Sequence, residues 1–287
     1  MTLKDAYQIV RHENNEAAFF AQRVVLVEGD SDTFVYPHLA KLFSEDWDDV
    51  ERNVMFVKIG GKGNISRYRA FFQHFDVPIH VITDLDALSS GFEHLTSSTR
   101  IKEARGKLIS LIKDGISGPS TPSGKKIKEI ARSNTPRELW GSAQNNLADW
   151  QEKKTEIAAQ ALASDLTQLF DAGHGDAILA SLRVPPTAEI AALVDEVVSA
   201  LALENTHVLR RGDLEAYCNT TSTNDKVATA IKFCEETVAL ELLKRTHGAD
   251  GDAVTAELEG IFARIFRAST PADAGTTRLG VIRSSGE

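Results

Sequence analysis

Cysteine is scarce: Cys218 and Cys234 are the only two in 287 residues. They lack metal-ligand spacing and are too few for a disulfide framework, so both read as free thiols of a reducing cytoplasm. Long apolar runs are missing, which excludes a single-helix membrane span. The opening MTLKDAYQIV has neither a signal-peptide apolar region nor a cleavage site, so the expectation is a cytoplasmic protein with no membrane partner. There is no internal repeat. No GxxxxGK[ST] loop and no GxSxG elbow occur, so a Walker-type nucleotide site and nucleophilic hydrolase chemistry are both unsupported. The eight histidines form no i, i+4 pair with an acid between, and read as packing or surface residues. Positive charge is in deficit: 32 Lys and Arg against 41 Asp and Glu give a net charge of -9. That argues against a protein that coats nucleic acid. It does not exclude a nuclease, because clustered catalytic carboxylates add negative charge that bound metal partly neutralises.

What is present fits a soluble α/β protein. Hydrophobic residues make up 42% and charged residues 25%, ordinary values for a globular chain. Three short apolar, β-branched runs stand out: Val24–Val27, Val54–Val57 and Ile79–Ile82. Such runs are typical of strands buried on both faces of a parallel sheet. Helical patterns precede the first run (4–22), follow it (through Phe43), and follow the second (66–75). The alternation predicts a parallel sheet flanked by helices.

The middle of the chain, from about 88 to 204, shows helical periodicity and little strand character. Gly115 to Gly124 reads as an exposed loop. Thr135-Pro136-Arg137-Glu138 has the form of a helix start, with Leu139, Trp140, Leu147 and Trp150 offering packing positions. Pro185-Pro186 breaks the pattern, and Thr187 can cap a helix through Leu203. A short strand is expected at His207–Leu209, then helices over 224–246 and 251–267.

Chemistry is expected where the strands end, because ligands of open parallel sheets bind beyond the carboxyl ends of the strands. Glu28 follows the first run, and Asp84 and Asp86 follow the third. If those strands are neighbours, three carboxylates converge. Residues two apart on an extended segment point the same way, so Asp84 and Asp86 could face one ion. Oxygen donors without nearby His or Cys favour Mg²⁺ or Mn²⁺ over Zn²⁺. The plainer reading is that these acids merely cap turns. Gly60-Gly61-Lys62-Gly63-Asn64 also has two readings: a tight turn that needs positive φ, or a phosphate contact with Lys62 adding charge. Arg67, Arg69, Arg210 and Arg211 are candidates for contacting a nucleic-acid backbone.

Val25-Leu26-Val27-Glu28-Gly29-Asp30-Ser31-Asp32 resembles the first motif of Toprim domains, and Thr83-Asp84-Leu85-Asp86 resembles their DxD motif. Within Toprim proteins, three features are similar to the overcoming-lysogenization-defect (OLD) nucleases. Phe19-Phe20-Ala21-Gln22-Arg23 precedes the first strand. Asp32 stands where other members carry Glu, as in the class 2 branch. Gly212-Asp213-Leu214-Glu215-Ala216-Tyr217 resembles a later acidic motif. The resemblance covers 15–86 well and 207–232 moderately, and the helical middle not at all. It implies a Toprim core in two parts, 1–87 and 206–267, the second including the C-terminal helices. Between them lies a large helical insertion (88–205), and 268–287 reads as a loose tail.

The resemblance implies a two-metal DNA endonuclease. Glu28, Asp84 and Asp86 would bind one Mg²⁺ or Mn²⁺, and Asp32 and Glu215 the second, with Asp213 as a further ligand candidate. Glu28 is alternatively the general base for the attacking water. Lys226 is the first candidate for the cation that offsets charge on the phosphate. OLD nucleases carry an ABC-type ATPase, which this sequence lacks, so an ATPase removed from this chain or supplied as a separate subunit is expected. A homodimer is compatible with the same reading. The alternative is a non-catalytic Toprim module that binds nucleic acid or a partner ATPase.

Overall fold

The computed structural model describes residues 18–116, 134–156, 158–159, 162, 175, 177–219 and 225–267. Four parallel strands form one sheet: β1 (Arg23–Val27), β2 (Val54–Lys58), β3 (Ile79–Thr83) and β4 (Thr206–Val208). Their order is β2-β1-β3-β4, so β1 and β3 lie side by side at the centre. The three predicted apolar runs become β1, β2 and β3, and the fourth strand starts one residue earlier than expected. The helices, in chain order, are α1 (Asp32–Phe43), α2 (Ile65–Gln73), α3 (Thr99–Gly115), α4 (Asn134–Lys153), α5 (Ala188–Leu203), α6 (Leu214–Cys218), α7 (Lys226–Glu236), α8 (Leu240–His247) and α9 (Gly251–Phe266).

The sheet is covered on both faces, which explains why β1 reads as unbroken Val-Val-Leu-Val rather than as an alternation. Val24 and Leu26 point into one core and Val25 and Val27 into the other; all four are fully buried. The first core is filled from α2, α3, α5 and the helical segment Ala177–Arg183. The second is filled from α1, α6, α7, α8 and α9. Burying each such aliphatic side chain contributes about 1.5–3 kcal/mol, so the sheet is held mainly by these two layers.

The two described ends of the central region, α3 and α5, are one of those layers. Ile101, Leu108 and Ile112 of α3 share a core with Ile190, Val194, Val197 and Leu201 of α5. The 3–4 residue spacing of the α5 set is the apolar stripe of an amphipathic helix. Thr187 caps α5 as expected, its side chain accepting from Ile190 N at 3.3 Å. In α4, by contrast, Leu147 and Trp150 are exposed rather than packed, at 40% and 42%. The sheet face they would need is already covered by α2, α3 and α5.

The single helix expected over 224–246 is broken into α7 and α8. The break falls at the β-branched pair Thr237-Val238, where helical backbone is disfavoured. There the Thr237 carbonyl accepts from His38 Nε2 of α1 at 2.8 Å, which ties the bend to that helix. The expected helix over 4–22 up to residue 17, the loop after 116, the side chains of Leu139 and Trp140, and the tail 268–287 lie outside the described residues. Among the described residues no single helix is long and apolar enough to cross a membrane.

Candidate metal centre

Three strand ends build one cleft. The β1–β3 register pairs Leu26 with Val81; continued two residues, it sets Glu28 beside Thr83. The Thr83 hydroxyl donates to Glu28 Oε1 at 2.7 Å, which fixes the carboxylate at the end of its strand. On the other side of β3, Leu209 N donates to the Thr83 carbonyl at 2.9 Å and Leu85 N to the Gly212 carbonyl at 2.7 Å. The two acidic segments, 84–86 and 213–215, are thereby laced together.

One oxygen from each of Glu28, Asp84 and Asp86 lies within 4.8 Å of the other two. The predicted convergence is met, but by a different route. Asp84 is extended, whereas Asp86 sits in a 3-10 turn, Leu85–Leu88, anchored by the fully buried Leu85. The turn, not strand alternation, returns Asp86 to the cluster. Asp32 opens α1, and its Oδ2 accepts from Gly29 N at 2.8 Å. Glu28, Asp32, Asp84, Glu215 and Lys226 line a cleft of about 390 Å³. Asp213 does not line it; it caps α6, with Oδ1 accepting from Ala216 N at 3.0 Å.

The electrostatics are those of too many carboxylates in one place. Burial, and then the charges of Glu28, Asp32, Asp86 and Asp213, push the Asp84 carboxyl up to about 9. Burial is also the main reason Asp32 is raised to about 6, with Glu28 and Glu215 adding to it and the Gly29 N–H opposing it. Asp84 and Asp32 both resist ionising in these surroundings. A divalent cation would reverse that logic.

Lysines meet this acid at three points. Lys226, the first residue of α7, is ion-paired with Glu215, and that bond raises its pKa. Lys58 binds both oxygens of Asp30 at 2.6 Å. Lys62 reaches Asp86 Oδ2 at 2.5 Å. The Gly-rich segment is a tight turn, with φ of 69° at Gly60 and 109° at Gly61, and its lysine is engaged by Asp86.

The expected backbone-contacting arginines are mostly engaged too. Arg69 points inward to the Leu95 carbonyl and the Thr206 hydroxyl. Arg210 pairs with Asp195, and Arg211 with Asp250 at 3.1 Å. Arg67 lies over the Tyr68 ring at 5.9 Å.

Reading the sequence alone missed Thr83, the Lys62–Asp86 pair and Arg183. The guanidinium of Arg183 rests against Gly212, in the space a Cβ would occupy, one residue from Asp213. The one signal for it is Gly212 itself, whose φ of 127° and lack of a side chain are both required there.

The donor set fits a hard divalent ion. Three carboxylates each supply an oxygen within 4.8 Å of the other two, and Asp86 Oδ1 is buried with no hydrogen-bond partner. Such an orphan acceptor is costly unless a cation or donor meets it. Glu28, Asp84 and Asp86 are the residues that would hold the ion.

Comparison with known proteins gives one family match and two similar solved structures. Residues 19–86 match the family model described as overcoming lysogenization defect protein-like, TOPRIM domain. No curated protein matches the chain. Among solved structures, two of the C-terminal region of the Xanthomonas campestris pv. campestris OLD protein are similar, one phased with platinum and one with mercury. They are 18% identical, with TM-scores of 0.26 and 0.24. They cover 66% and 65% of this chain and 97% and 98% of their own. The stretch that carries Glu28, Asp32 and the DxD turn at Asp86 is thus the part of this chain that is similar to the Toprim domain of overcoming lysogenization defect protein-like sequences.

Proposed function

We propose that the chain is a Mg²⁺- or Mn²⁺-dependent DNA endonuclease of the class 2 OLD type, hydrolysing phosphodiesters with two ions. The observation that supports this most is the half-buried triad of Glu28, Asp84 and Asp86, whose oxygens lie within 4.8 Å of one another around an Asp84 carboxyl raised to about 9. Bound ions would supply charge stabilisation for the attacking and leaving oxygens of an in-line displacement.

The protein's own residues set the geometry. Glu28 is oriented by the Thr83 hydroxyl and is placed either to hold an ion or to take a proton from water. Asp32 and Glu215, which both line the cleft, are the ligands proposed for the second ion. Asp213 contributes chiefly by fixing the turn that carries Glu215. Lys226 stands at the mouth of the cleft, 63% exposed, where a charged ammonium can meet a phosphate once it leaves Glu215. An ABC-type ATPase partner, a homodimer and a cytoplasmic location belong to the same proposal and rest on the family resemblance.

Plasmid nicking with Mg²⁺, Mn²⁺, Ca²⁺ or EDTA tests it. Cleavage is expected with Mg²⁺ or Mn²⁺ and is lost in Asp84→Ala. Equal cleavage by that variant, purified free of contaminating nuclease, overturns the proposal. DNA binding without cleavage in any ion would instead favour a non-catalytic module.

A further inference from the structure

Lys62 is the one residue of the Gly-rich turn that reaches the acidic cluster, and its whole path is built. Gly60 and Gly61, both at positive φ, turn the chain sharply after β2. Asn64 Nδ2 donates to the Ile59 carbonyl at 2.8 Å and closes the turn. The lysine stem then lies along Gly91, itself at a φ of 83°, where a Cβ would come within 3.1 Å of Cγ and 3.2 Å of Cδ. The side chain is only 21% exposed, and its ammonium meets Asp86 Oδ2 at 2.5 Å. β2 and β3 are not neighbours, since β1 lies between them. Lys62 therefore crosses the end of β1 to reach a carboxylate of the triad.

The pairing is incomplete in a telling way. The ammonium meets Oδ2, while Oδ1 of the same carboxylate is buried with no hydrogen-bond partner. A single cation on one oxygen leaves the other unsatisfied, whereas the cluster of Glu28, Asp84 and Asp86 has room for a charge between them. A lysine held for phosphate contact would present its nitrogen to the cleft. Here the nitrogen is turned onto a candidate ligand instead.

We propose that Lys62 is the resident counter-cation of Asp86: it holds the carboxylate in the metal-free chain and is exchanged for the divalent ion on loading. This rests on the metal reading of the triad. Lys62 is thus a positioning residue that competes with the ion. An ammonium and a dication cannot share one carboxylate without mutual repulsion, so removing the ammonium strengthens ion binding and weakens the empty site.

The test is Mn²⁺ titration by calorimetry of the full chain as wild type, Lys62→Met and Lys62→Arg, with melting followed in EDTA and in Mn²⁺. Lys62→Met is expected to bind Mn²⁺ at least about fivefold tighter. It should melt lower than wild type in EDTA and gain more on adding Mn²⁺. Lys62→Arg keeps the charge and is expected to stay near wild type. In an Asp86→Asn background the Lys62→Met gain disappears. Unchanged or weaker Mn²⁺ binding by folded Lys62→Met, with wild type binding normally, overturns the exchange and leaves the metal reading intact. Absence of Mn²⁺ binding by wild type overturns both.

Discussion

At Asp84 the protein holds a carboxyl that burial and four neighbouring acids discourage from ionising. At neutral pH such a carboxyl must take up a proton as the chain folds, and Asn keeps the shape without that cost. Asp84→Asn is therefore expected to melt higher than wild type in EDTA, yet to lose the stabilisation that Mn²⁺ gives wild type. Thermal melting with and without Mn²⁺ reads both effects, and a lower melting point in EDTA would contradict the repulsion argument. Glu28 is held differently, by the 2.7 Å bond from Thr83. Glu28→Gln keeps that bond and removes the charge and the basic site, so cleavage should fall by about 10²-fold or more with folding unaffected. Single-turnover cleavage of labelled DNA measures it.

Between elements, two close joints fall at a glycine and at a pair of histidines. Gly251 opens α9 where an added Cβ would strike the Lys244 carbonyl of α8. Backbone cannot yield as a side-chain tip does, so Gly251→Ala is expected to cost about 1–3 kcal/mol, read by urea denaturation. Between β3 and β4, His80 Nδ1 and His207 Nε2 lie 3.2 Å apart with rings stacked at 5.5 Å. Burial, and then Arg23 and Arg69, lower His80 to about 4. Burial, then His80, Arg264 and Arg69 lower His207 to about 3. An unfolded histidine takes up its proton near pH 6.5, so below that value the unfolded chain binds more protons than the folded one. Stability contributed by the pair is complete above about pH 6.5 and is lost as the pH falls toward those folded values. His207→Asn should flatten the dependence of urea midpoint on pH between about pH 7 and about pH 5; an unaltered slope would rule the pair out as its source.

Across the molecule, the proposed function requires an acidic chain to bind a polyanion. With a net charge of -9 and Arg69, Arg210 and Arg211 engaged internally, phosphate binding is expected to need divalent ions. DNA affinity measured in Ca²⁺ should fall by at least about tenfold in EDTA. Arg183 is exposed, and its guanidinium rests against Gly212 beside the acidic turn described above. Arg183→Ala should reduce the salt slope of binding by about one.

Much of this was legible in the sequence. The β-branched runs gave three strands, and Glu28, Asp84 and Asp86 stood at their exits. Lys62 was not assignable, because its partner depends on β1 separating β2 from β3, about two strand spacings of 4.8 Å. Nor did the apolar residues of α4 reveal that the sheet faces would be filled by other helices. The inward turn of Arg69 depends on Thr206, which lies 137 residues later.

That separation bears on the order in which the molecule forms. His80 and His207 stand 127 residues apart in sequence but side by side in the sheet. Closing a long loop costs little extra free energy, since the cost grows only with the logarithm of its length, but distant pairings form slowly. A chain emerging from its N-terminus holds β1, β2, β3, Glu28, Asp84 and Asp86 long before β4 and Glu215 exist. The side of the cleft that carries Glu28 and Asp84 is therefore available early, and the side that carries Glu215 and Lys226 is added last.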